Sequence, residues 1–217
     1  MTTSRRRFLA AAAALPAAST VLAQTPSNAW DETFDVVVVG SGVAGTIAAI
    51  AAAEKGAKVL MIEKLNRTGG TSRFSGLNFA CVDSAEQKKR GVKDSPEALA
   101  RDMFRVSGGV GNYELALVMA KNTARVEKFL TDRGVRWDGR LLKLGGHSAE
   151  RCLIPEGDGA GLLAALTKYM GGLKNLTIRT SCKADEILCE KDRVSGLLVR
   201  EGYVFSEDPR DDETNRT

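Results

Sequence analysis

The chain has 217 residues, 43% of them apolar and 27% charged, a globular composition sized for one domain and part of a second. Its formal charge of +4 comes mostly from Arg5, Arg6 and Arg7, and no basic stripe interleaved with aromatics follows, which argues against a nucleic-acid partner. Cys81, Cys152, Cys182 and Cys189 are scattered without a C-x-x-C, and His147 is the only histidine, which argues against a zinc or haem site built from this chain. The cysteines read as mostly buried free thiols, with Cys182–Cys189 the pair that an oxidising compartment would bridge.

Residues 1–23 have the three parts of an export signal. Ser4-Arg5-Arg6-Arg7-Phe8-Leu9 is a basic start with twin arginines, Phe8–Leu15 is a short apolar core, and Val21-Leu22-Ala23 supplies small residues for cleavage. The S-R-R-x-F-L pattern resembles the twin-arginine signal of bacteria, which exports folded proteins to the periplasm. Residues 24–33 read as a linker. No later apolar run is long enough for a membrane span.

Val36–Val39 reads as a buried parallel strand of β-branched residues. It runs into Gly40-Ser41-Gly42-Val43-Ala44-Gly45, the G-x-G-x-x-G spacing of a dinucleotide loop. Gly40 permits the tight turn, Gly42 the approach of backbone to pyrophosphate, and Gly45 close packing of helix on strand. The helix, Thr46–Glu54 with Gly56 as its stop, points its N-terminal N–H groups and positive dipole end at the anion. A second strand, Lys58–Ile62, ends at Glu63, where an acid accepts hydrogen bonds from ribose hydroxyls. This unit fits NAD or FAD. The next loop, Gly69-Gly70-Thr71-Ser72-Arg73-Phe74-Ser75-Gly76, points to FAD. Its glycine pair lets the chain return under the pyrophosphate and ribitol, with Thr71 and Ser72 as donors. An NAD module without enzymatic activity is the competing reading.

Ser95-Pro96-Glu97 opens a helix that continues to about Val106. Asn112 caps a second helix over roughly 113–133, ended by Gly134. Its stripe of Leu115, Val118, Met119, Val126, Phe129 and Leu130 reads as core. Two glycine clusters follow, Gly145-Gly146 and Gly157-Asp158-Gly159-Ala160-Gly161. The second opens a helix whose N-terminus is a candidate anion- or flavin-facing end. Leu176–Thr180, Ala184–Cys189 and Arg193–Arg200 read as strands, and the acidic, turn-rich residues 205–217 as a tail.

Residues 34–80 resemble the start of FAD-dependent fumarate reductase and flavocytochrome c flavoproteins, a group that includes succinate dehydrogenase, aspartate oxidase and ketosteroid dehydrogenase flavin subunits. Gly40, Ser41, Gly42, Ala44, Gly45, Glu63, Lys64, Gly69 and Gly70 carry the likeness. It implies an α/β, Rossmann-like FAD-binding domain over 34–204, with a helical insert at about 95–134 and a β meander. It implies Ala44 by the pyrophosphate, Glu63 on the adenosine ribose, Thr71 and Ser72 along the flavin side with Gly76 ending that element, and the Ala184 backbone by the adenine. The implied chemistry exchanges a hydride with a C–C bond beside an electron-withdrawing group, on an unsaturated acid or ketone, with a cytochrome as a plausible electron donor. Where fumarate reductases have His-Arg-Pro this chain has Leu153-Ile154-Pro155, which puts fumarate itself in doubt; His147 is a possible substitute. The family's capping domain and its proton-donating arginine have no counterpart among these residues. No residue is assigned a catalytic role, and the chain alone is expected to hold FAD without turnover, or else to be a silent fragment.

Overall fold

A computed structural model describes residues 5–9, for which only the backbone is considered, and residues 30–206. The first elements in chain order are strands β1 (Arg5–Leu9), β2 (Glu32–Thr33) and β3 (Val36–Val39), helix α1 (Val43–Glu54) and strand β4 (Val59–Ile62). A 3-10 turn, Gly70–Phe74, leads to β5 (Phe79–Ala80), α2 (Ala85–Arg90), α3 (Pro96–Val106), α4 (Tyr113–Lys121) and α5 (Thr123–Asp132). Then come β6 (Trp137–Leu142), β7 (Cys152–Pro155), α6 (Asp158–Met170), β8 (Leu176–Arg179), β9 (Cys182–Glu190) and β10 (Arg193–Glu201). These form two compact units, Met1–Gly70 with Leu173–Thr217, and Thr71–Gly172.

The first unit contains a parallel sheet of order β3-β4-β8, with Val36 opposite Val59 and Val59 opposite Leu176. β4 is buried along its whole length, whereas β3 is half-buried and Val39 is 58% exposed. The β-branched run therefore makes a parallel strand as expected but not a fully buried one, because among the described residues β3 has a hydrogen-bonded neighbour on one side alone. Asn175 holds the return of the chain by donating to the carbonyls of Ala53 and Ala57, at the C-terminal end of α1. A second sheet, of order β2-β1-β10-β9, has β9 and β10 as an antiparallel hairpin. Phe34, Leu60, Ile62, Cys182, Leu197 and Val199 form one core between these sheets, with Val37 and Ala184 at its margin. The twin arginines lie in β1, in the sheet. The rest of the expected apolar leader core, its cleavage site and most of the acidic tail fall outside the described residues.

The second unit has a small antiparallel sheet, β5-β7-β6, and five helices among the described residues. Ser95 caps α3 by accepting from the Ala98 amide, with Pro96 in the first turn, and Asn112 caps α4 by accepting from the Leu115 amide. The expected single helix after Asn112 is two, broken at Asn122. α4 buries Ala116 and Ala120 and leaves Leu115, Val118 and Met119 at 66%, 58% and 50% exposure, so those three are not core. Small side chains let α4 close on its neighbour, and Ala120 joins the Val82–Leu99 cluster; the larger residues then fall on the opposite face. Leu130 of the same expected stripe is buried. α2 was not foreseen, although Ser84 and Gln87 carry the spacing of a capping box, and Ser84 Oγ does accept from the Gln87 amide.

All four cysteines are free. Cys182 and Cys189 lie on the same strand, β9, whose extended backbone separates them far beyond disulfide reach. Three thiols are buried and Cys189 is exposed.

Candidate functional site: the nucleotide loop

The loop after β3 has the geometry that its three glycines require. Gly40 has φ +95°, left-handed space that a side chain would strain. Its amide donates to the Ile62 carbonyl, which ties the turn to the end of β4. A Cβ on Gly45 would lie 2.0 Å from the Gly40 carbonyl oxygen, so no other residue lets α1 start this close to the strand. Gly42 is the N-cap of α1, in extended backbone, and no side chain caps the helix. A helix start of this kind presents backbone donors and a positive dipole end to an anion.

Ser41 organises what surrounds this loop. It is fully buried, and its hydroxyl donates to Glu63 Oε2 at 2.6 Å while accepting from the Gly69 amide at 2.9 Å. Its own amide also donates to Glu63 Oε2, at 3.0 Å, and its carbonyl accepts from the Thr46 hydroxyl. One side chain therefore joins the phosphate loop, the acid at the end of β4 and the first glycine of the returning loop. Sequence reading placed Ser41 in the motif without seeing this role; the residue type alone carries no sign of it.

Glu63 is 5% exposed. Besides the two donors from Ser41, its Oε1 accepts from the Leu65 amide at 3.0 Å. Burial alone would raise its pKa, but the Leu65 amide and both Ser41 donors outweigh that and hold the carboxyl below its ordinary value. An ionised carboxylate has about four acceptor positions, so with three used one remains for a ribose hydroxyl. Lys64 is exposed, with Nζ 5.1 Å from the centre of the Phe205 ring. Gly69 and Gly70 have φ +109° and +50°, the left-handed turn that a glycine pair allows. Ala184, on β9 opposite Val199, packs against the core around Leu60 and Ile62. The set suits a dinucleotide: a helix start with no side-chain cap for pyrophosphate, and a buried acid with an acceptor position left for ribose.

Thr71, Ser72 and Gly76 belong to the other unit. There the start of α6 packs against their loop. The Gly159 amide donates to the Ser75 carbonyl, and a Cβ on Gly159 would lie 1.9 Å from the Ser72 carbonyl oxygen. The glycines of this helix start serve close backbone packing, and one of its N–H groups meets a carbonyl rather than an anion. Leu153 and Ile154 are buried in β7, so this stretch presents no polar group to a carboxylate. His147 Nδ1 is 3.6 Å from Cys152 Sγ. Burial, with Arg151 nearby, lowers the histidine pKa and favours the neutral ring.

Arg151 is the largest fully buried side chain. Nε and Nη2 donate to Asp94 at 2.8 Å each, and Nη1 donates to Asp102 at 2.6 Å. Asp102 also accepts from the Ser148 amide and hydroxyl, both at 2.7 Å. Every formal charge in this cluster has a partner, which is the condition for burying charge at tolerable cost. Among the described residues no group of histidines, cysteines and carboxylates could hold a metal ion, and no helix is long and apolar enough to cross a membrane.

Comparison with known proteins gives the same reading. Residues 35–216 match the model of the FAD binding domain family. The chain is 41% identical over 167 residues to a urocanate reductase of Eggerthella lenta, covering 76% of this chain and 27% of that protein. It is 34% identical over 212 residues to an acrylate reductase flavoprotein subunit of Shewanella woodyi, covering 93% of this chain and 41% of that one. A solved flavocytochrome c3 fumarate reductase, in its open conformation, superposes with a TM-score of 0.74 at 27% identity, over 78% of this chain and 30% of that one. The chain thus spans between about a fifth and two fifths of the curated relatives it matches. With the α/β sheet, the glycine loop and the buried acid in place, this chain belongs to the FAD binding domain family, as the cofactor-holding part of a fumarate reductase-like flavoprotein, and its cofactor is FAD.

Proposed function

We propose that this chain holds FAD in an exported oxidoreductase that acts on a C–C bond conjugated to a carboxylate or ketone, reducing the alkene or running the reverse reaction. Bound FAD supplies the two-electron redox chemistry; the protein supplies grip, orientation and exclusion of water. The observation that carries the reading is the Ser41 network, which brings the phosphate loop, Glu63 and Gly69 together through one buried hydroxyl.

In this assignment the backbone from Gly40 through Gly42, Ala44 and Gly45 takes the pyrophosphate. Glu63 takes the adenosine ribose with Lys64 beside it, and the Ala184 backbone lies toward the adenine. Gly69, Gly70, Thr71, Ser72 and Gly76 follow the ribitol and flavin side. The substrate is a small unsaturated monocarboxylate or ketone rather than a dicarboxylate. Two relatives named for acrylate and urocanate reduction support this, as do the buried apolar side chains of Leu153 and Ile154. A cytochrome is the proposed electron donor, by likeness to the flavocytochrome. The twin arginines support export to the periplasm, through a route that accepts a protein already loaded with its flavin.

Purification of the full chain tests the reading. A yellow protein that releases FAD, and not FMN, on denaturation is the expected result. A colourless, folded protein that binds NAD would sink it and favour the non-enzymatic module.

A further inference from the structure

We propose that the outer edge of β10 is a strand-acceptor site whose occupant is the twin-arginine segment Arg5–Leu9, and that the segment is withheld from an export receptor while it is paired there. β1 runs antiparallel to β10 over five consecutive pairs, from Arg5 opposite Arg200 to Leu9 opposite Gly196. On its other side it pairs in parallel with β2, Phe8 opposite Glu32 and Leu9 opposite Thr33. The segment that carries the export signal is thus an interior strand of the sheet at its Phe8–Leu9 end and is hydrogen-bonded on one side along its whole length.

The acceptor is the fixed partner. β10 is held from its other edge by nine-residue β9, and its Leu197 and Val199 are buried in the core with Phe34, Leu60 and Ile62. Without β1, β10 would show a row of unpaired N–H and C=O groups, which is a template for any extended segment. A receptor that takes the twin arginines as an extended segment would compete with β10 for the same backbone, so in this proposal pairing with β10 and presentation exclude each other. The folded domain then controls how often its own signal is shown. This rests on the export reading above, but the pairing itself is measured independently of it.

Hydrogen exchange and limited trypsin digestion of the full chain, parent against Phe8→Pro, test the pairing. A proline removes an N–H and cannot continue the strand. The expected result in Phe8→Pro is at least tenfold faster cleavage after Arg5 and Arg6 and at least tenfold faster exchange of the β10 amides that face β1, with the amides of β4 unchanged. Equal cleavage and equal exchange would overturn the proposal. Should β4 lose protection as well, the pair Leu9→Cys with Gly196→Cys decides: these residues are opposite each other, and failure of an oxidised crosslink to form in the full chain would overturn the pairing. Export is read separately, by cell fractionation. In cells with an oxidising cytoplasm, an Arg7→Cys/Leu198→Cys crosslink, at the free position of the motif and its β10 partner, should keep the chain in the cytoplasm, while the same variant in reducing cells is exported. Export of the crosslinked chain overturns the withholding. If R5K/R6K is exported as well as the parent, the export reading fails, while exchange still reports the pairing.

Discussion

Ser41 is where the cofactor grip is most exposed to single changes. Its hydroxyl has a donor role to Glu63 and an acceptor role to the Gly69 amide, so Ser41→Ala strips two buried groups of a partner at once. An orphaned buried polar group costs about 1–3 kcal/mol. Ser41→Ala should therefore lower stability by about 2 kcal/mol in chemical denaturation, and weaken FAD binding about tenfold by freeing both Glu63 and the returning loop. Glu63→Gln tests recognition at some structural cost, because its NH2 group must face either the Leu65 amide or the Ser41 donors. The amide keeps an acceptor oxygen, but the charge that strengthens a hydrogen bond to ribose is gone. FAD titration should show an affinity loss of about tenfold or more, equivalent to about 1.5 kcal/mol. An unchanged dissociation constant for Glu63→Gln would remove the ribose from Glu63. Gly45→Ala is harsher, since its methyl carbon falls on backbone rather than on a movable side chain. Overpacking there should cost about 1–3 kcal/mol or more and displace the helix start proposed to meet the pyrophosphate, so loss of bound flavin is the expected readout.

At the scale of elements, helix α4 separates pattern from packing. Periodicity finds a helix and its apolar stripe, but it does not tell which face a neighbour will cover. The break at Asn122 resets the helical phase, and alanine at 116 and 120 offers the closer approach. Leu115→Gln or Val118→Gln should accordingly change stability by less than about 0.5 kcal/mol. Ala120→Leu, at a site 1% exposed, should cost about 1–3 kcal/mol; thermal melts of the three variants check the order. The first unit was far more legible. The β3–loop–α1–β4 run and its ending acid could be read because each residue's neighbours there are local or fixed by motif spacing; β8 was legible as a strand, but its place beside β4 is set by a partner far away in the chain. The β5-β7-β6 sheet, the Ser41 bridge and the Arg151 cluster were not legible. Each pairs residues tens of positions apart whose types serve equally well on a surface. β3 shows the same limit in small: Val36–Val39 specifies a strand, and only the sheet order decides how much of it is covered.

For the whole molecule, the two units share one electrostatic design that makes both sensitive to acid. Glu63 in the first unit, and Asp94 and Asp102 in the second, are carboxylates whose pKa burial would raise but hydrogen bonds and Arg151 bring below the ordinary value. A lowered folded-state pKa means that the unfolded chain takes up protons first as pH falls. The stability these groups contribute is then complete above the unfolded value of about 4, and is lost as pH drops through the folded value. Trp137, stacked on Phe79 with ring centres 5.8 Å apart, reports on the second unit once Trp30→Phe silences the other tryptophan. Urea unfolding of that variant, followed by fluorescence, should show a midpoint steady from pH 7 to about 5 and falling steeply below about 4. Adding Arg151→Met should lower the neutral-pH stability by about 3–5 kcal/mol, because buried Asp94 loses its counter-ion and Asp102 keeps only the largely exposed Arg105. The two curves should then converge on acidification, since protonated aspartates no longer need the guanidinium. A gap between them that is as wide at pH 3 as at pH 7 would mean that Arg151 acts there through packing and not through charge.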